Sequence, residues 1–332
     1  MPFGTFHALN RKTDKPVRAG DDSGSKAPLT PPPQPEHIVQ RTFNICLIAR
    51  TQQQALEFLC SLNENINRAL SHRGLSWYCP DSAAMSRLSA QRQKYNKFFR
   101  TFSKDDWIYE EETETQSSFA FELSPSGVQT KSIKIIFRVS SGPQAAAPSS
   151  CDALWLLADA AALLPGRAEG DPYTAHLREL LQNLPAWDEK NPRPVCLILS
   201  QFEGTEEDNG LWRTRSEDIM KSIGWRRVFS VTLDSGTKPA VLPAQVYGGL
   251  RFDRMDGAGM PVLKLSNTVK TYSPSGCHIP LLYSLQSGMA GDGNDFFADV
   301  IEGGMFGAIL SCYEEQYSNP SWQPEYLERD NR

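Results

Sequence analysis

The sequence predicts an α/β domain: a mostly parallel sheet of five or six strands, helices on both faces, and one antiparallel strand supplied by a hairpin. Three observations carry this reading. First, two continuous apolar runs, 153–158 and 195–199, flank a segment, 173–184, in which Leu177, Leu180, Leu181 and Leu184 recur at helical spacing. That is the pattern of two buried parallel strands joined by a crossover helix. Second, the run TFNICLIA at 42–49 passes directly into a stretch with Ala55, Leu56, Leu59, Leu62, Ile66 and Leu70 on one helical face. Third, FAFEL at 119–123 and SIKIIFRV at 132–139 alternate on either side of a Pro/Gly turn, which makes an antiparallel hairpin.

Taken in order, residues 1–40 are rich in Pro, Lys, Asp, Gly and Ser and include PLTPPPQPE. They hold too little apolar surface to order themselves and are expected to form a mobile tail, with a short polyproline-II piece at 31–35. The strand at 42–49 feeds a helix over 52–71 through a tight turn, the place where phosphate-binding loops sit. A turn at Tyr78-Cys79-Pro80-Asp81 leads to a helix over 82–102 with Met85, Leu88, Tyr95, Phe98 and Phe99 along it. Its cluster of Arg87, Arg92, Lys94, Lys97 and Arg100 reads as a solvated face, and 105–116 as an acidic loop. The hairpin and a small-residue loop at 140–150 then lead into the central strand–helix–strand unit. Beyond it come an acidic loop at 206–209, a helix over 212–223 and a strand at 225–233. The Gly- and Pro-rich stretch 234–262 carries two short strands, LRF and VLKL. A helix begins at 279–285, a further one is expected within 287–307, and the end of the chain is expected to be loose. The expected organisation is therefore a tail (1–40), one α/β domain (41–286, with an insertion near 73–116) and an extension (287–332).

Composition bounds the function. The chain of 332 residues is 40% apolar and 22% charged, with a net charge of −5, which argues against a general nucleic-acid binder. Its apolar runs fall far short of the roughly 20 residues that span a bilayer. The stretch MPFGTFHALNRKTDK has no apolar core of the signal-peptide kind, so a cytoplasmic protein is expected. Seven cysteines show no C-x-x-C, and His7, His37, His72, His176 and His278 show no metal-ligand spacing. Reduced structural thiols and no metal site are expected. The neighbours Cys277 and His278 do not make a nucleophilic dyad, because such pairs form from distant positions.

The element order resembles that of Ras-like GTPase domains of the translation-factor-related class, over roughly 42–286. DALWLLADA resembles the strand that follows the second-switch loop, PVCLILSQFE the strand that leads to the guanine-specificity motif, and VFSVTLDSG the strand that ends in the last nucleotide-contacting loop. The resemblance implies a three-layer, P-loop-GTPase-like fold. It also lets the nucleotide-binding positions be checked one by one. The phosphate loop G-x-x-x-x-G-K-[ST] falls on residues 49–56, beginning at Ala49 and Arg50. Gln54 stands at the second glycine, Ala55 at the lysine and Leu56 at the magnesium-binding hydroxyl. The switch motif D-x-x-G falls on Val139 to Gly142, where the glycine is present and the acid is not. The base-reading motif falls on Ser200, Gln201 and Glu203, of which Glu203 could accept from a guanine edge. Asp159 and Ser235 are further candidate ligand contacts, and Arg50 is the nearest cation. Lysine and magnesium supply most of the charge stabilisation in phosphoryl transfer. The resemblance therefore implies a catalytically inactive GTPase-like domain, with no cofactor or at most weak GTP or GDP binding, kept as an adaptor or scaffold. By analogy with bacterial multi-protein systems, its partners would be proteins, another GTPase-like subunit among them. The alternative is a divergent NTPase that holds phosphate on backbone amides at 50–55.

Overall fold

The computed structural model describes residues 39–71, 75–101, 117–125, 132–142, 145, 150–159, 172–183, 193–200, 240–248, 250–255, 261–265, 271–289 and 325–326. In chain order these form β1 (Val39–Ala49), α1 (Gln52–Ser71), β2 (Leu75–Tyr78), α2 (Ser82–Thr101), β3 (Ser118–Pro125), β4 (Ser132–Ser141) and β5 (Ala153–Asp159). Then follow α3 (Pro172–Gln182), β6 (Val195–Ser200), β7 (Ala240–Ala244), β8 (Leu250–Met255), β9 (Pro261–Leu265), α4 (Ile279–Met289) and β10 (Glu325–Tyr326). An eight-stranded sheet has the order β10-β7-β6-β5-β1-β4-β3-β2, and β8 and β9 form a separate antiparallel ladder. Strands β4, β1, β5, β6 and β7 run parallel. The hairpin turns β3 antiparallel to β4, and β2 and β10 pair antiparallel to β3 and β7. The fold is α/β with a mixed sheet, and among the described residues no helix is long and apolar enough to cross a membrane.

The period of two along β1 sorts its side chains onto two faces. Phe43, Ile45, Leu47 and Ala49 join a core with apolar side chains of α1, α2 and α4. Cys46 and Ile48 join a second core with Tyr173, Leu177 and Leu181 of α3. Strands β5 and β6 alternate in the same way, which is why their runs read as continuously apolar.

Helix α1 is buried on more than its apolar stripe. Gln53, Glu57, Ser61 and Asn65, spaced four apart, form a buried polar rail. Gln53 Nε2 donates to Glu57 Oε1 (2.9 Å) and to Gln91 Oε1 of α2 (3.2 Å). The Tyr247 hydroxyl donates to Glu57 Oε2. Ser61 Oγ donates to Val246 O (2.6 Å), and Asn65 Nδ2 donates to Pro274 O (2.6 Å) while its Oδ1 accepts from Cys277 N–H (3.0 Å). The rail binds residues 245–248 and 271–278, which are tied to each other by a two-way bridge between Gln245 and Ser275. Buried polar groups need partners, and these two segments supply them to Glu57, Ser61 and Asn65.

Several expectations change. The segment near 73–116 is not simply an insertion: β2 extends the sheet, and Leu88, Tyr95 and Phe99 of α2 share the core with α1. Met85 of α2 is exposed. The strand beside β6 is β7, within the Gly- and Pro-rich stretch where only LRF and VLKL were read as strands; those two lie in β8 and β9. Two residues of the end read as loose, Glu325 and Tyr326, pair with β7. Of the tail read over 1–40, Val39 and Gln40 belong to β1, and of the helix read within 287–307, residues 287–289 belong to α4; the rest of both, the acidic loops, the helix read over 212–223 and the strand read at 225–233 lie outside the described residues.

Candidate functional site

The chain leaves β1, builds β3 and β4 on one side of it, and crosses to β5 on the other. Where the winding direction reverses, open α/β sheets leave a crevice at the carboxyl ends of the strands. Here that point lies at the ends of β1 and β5, whose last paired residues are Ile48 and Leu156.

Tyr173, near the start of α3, fills the place where β5 parts from β1. Its hydroxyl donates to Leu157 O (2.8 Å) and to Ile48 O (3.2 Å), satisfying a carbonyl on each strand. Arg50 follows β1, and its guanidinium lies over the Tyr173 ring, 5.1 Å from the centroid, a cation–π arrangement. The one cation expected near the phosphates thus stacks on an aromatic ring of the same chain.

The turn between β1 and α1 is closed by its own side chains. Gln54 N–H donates to Thr51 Oγ1 (3.0 Å), so Thr51 is the N-cap of α1. Gln54 Oε1 in turn accepts from Arg50 N–H (2.9 Å). This reciprocal arrangement is close to a capping box, with the glutamine reaching one residue further back. Gly142 N–H donates to the carbonyls of Ala49 and Arg50 (both 3.1 Å), with φ at +87°. A phosphate nest needs backbone N–H groups aimed outward. Here the N–H groups of Arg50 and Gln54 already have acceptors within the turn. Thr51→Ala is expected to cost about 1 kcal/mol of stability while Thr51→Ser costs little. Urea denaturation checks this, and an unchanged midpoint for the alanine variant would remove Thr51 as the cap.

The other mapped positions are structural. Ala55 and Leu56 are packed in the α1 core, and Val139 of β4 in the same cluster. Ser200 is buried at the end of β6, with Oγ donating to Ala158 O (3.2 Å). Asp159 closes β5 in register with Ser200. The structure thus brings Ala49, Arg50, Gln54 and Gly142 together, and sets Ala55, Leu56 and Val139 into packing. Gln201, Glu203 and Ser235 lie outside the described residues. Cys277 is fully buried, with Sγ directed to the carbonyls of Gln245 and Ser275 (3.6 Å each), and burial raises its thiol. Among the described residues no group of three or more His, Cys, Asp or Glu is placed to hold a metal. Sequence reasoning missed Thr51 and Tyr173. The signal for Thr51 was present, because Thr51-Gln52-Gln53-Gln54 is a capping-box pattern.

No family model matches the chain, and no curated protein matches it. Among solved structures it is similar to the crystal structure of the dynein light intermediate chain's conserved domain, at 10% identity and a TM-score of 0.23. The match covers 69% of this chain and 83% of that one. A likeness of that size carries no argument about fold or function.

Proposed function

We propose that this chain is a three-layer, GTPase-like domain that has given up nucleotide hydrolysis and serves as a protein-interaction module, an adaptor or scaffold, within a cytoplasmic multi-protein assembly. The observation that carries the reading is the self-capped turn between β1 and α1 at the ends of β1 and β5. Gln54 occupies the N–H of Arg50, and Tyr173 occupies the carbonyls of Ile48 and Leu157. The position mapped to the lysine, Ala55, is fully buried, so a cation placed there would enter a core rather than face a phosphate. Five parallel strands with an antiparallel hairpin strand beside them agree with the GTPase-like reading. A divergent NTPase that held phosphate on the amides at 50–55 would need Gln54 to release the Arg50 N–H.

Isothermal titration of the full chain with GTP, GDP and ATP, with and without magnesium, tests the reading. No saturable heat is expected at about millimolar nucleotide, which corresponds to binding weaker than roughly −4 kcal/mol. Magnesium-dependent binding of one nucleotide would sink it.

A further inference from the structure

We draw no further inference here: the strongest candidate, the cationic outer face of α2 with Arg92, Lys97 and Arg100 exposed along it, carries nothing because nothing in the structure shows what covers it.

Discussion

Replacing Trp155 with alanine is expected to lower the stability of the chain by about 3–5 kcal/mol, the range for removing a fully buried large aromatic side chain. Trp155 is 0% exposed and sits at the middle of β5, where four elements meet. Its ring meets Phe58 of α1 edge-on at 6.0 Å and Phe137 of β4 at 5.3 Å. Its indole N–H donates to Ser284 Oγ of α4 (2.8 Å), and the same hydroxyl contacts Cys196 Sγ of β6 (3.7 Å). Truncation opens a cavity between the sheet and both helices, and it leaves Ser284 without its indole donor. Trp155→Phe separates the two losses. It keeps most of the ring volume and gives up the hydrogen bond, which is worth about 1 kcal/mol, plus whatever the smaller ring leaves empty. Urea denaturation followed by circular dichroism reads both variants, with an unchanged slope expected for each. A cost under about 1 kcal/mol for the alanine variant would show that β5 is not the keystone of this core.

How much of this was legible depended on whether a single stretch carried its own signal. The runs that became β1, β5 and β6, the stripe of α1 and the alternation of the hairpin each identify themselves without knowledge of distant residues. The missed strands do not. β10 has two residues and no pattern to read. β7 is AVLPA, and Pro243 in a short run argues against a central strand. It is tolerated because β10 pairs only with Ala240 and Val241, so Pro243 lies where β7 is an edge among the described residues. β2 is four residues whose alternation, Leu75 and Trp77 inward, was absorbed into a turn reading. The strand-to-helix turn after β1 was legible, and it lies where the strand order reverses. Its chemistry was read by subtraction, residue against motif, so Gln54 counted as a missing glycine. Local capping chemistry explains the same glutamine directly. The polar rail of α1 was missed for a related reason. Gln53, Glu57, Ser61 and Asn65 look like a solvated face until residues 245–248 and 271–278, about two hundred positions away, are laid against them.

That rail makes Gly248 the most sensitive glycine among those described, and Gly248→Ala is expected to cost about 3 kcal/mol or more. Two terms add. Gly248 has φ of +47°, in the left-handed region that costs a residue with a Cβ about 1–2 kcal/mol. A Cβ built there would also lie 1.7 Å from Ser273 O and 2.2 Å from its carbonyl carbon, which are backbone atoms that no rotamer change can move. Overpacking of this kind adds about 1–3 kcal/mol, and more where the backbone must shift. The shift required is the separation of residues 245–248 from 271–278. It would strain the Gln245–Ser275 bridge and the bonds from Ser61 to Val246 and from Asn65 to Pro274. Gly142 supplies the control, because its φ is +87° and an added Cβ would meet nothing within 4 Å. Gly142→Ala should therefore show the conformational term alone, about 1–2 kcal/mol, and Gly248→Ala that term plus the steric one. Equal losses for the two variants would mean that the segments beside α1 can part without penalty, and that the rail is not what holds them.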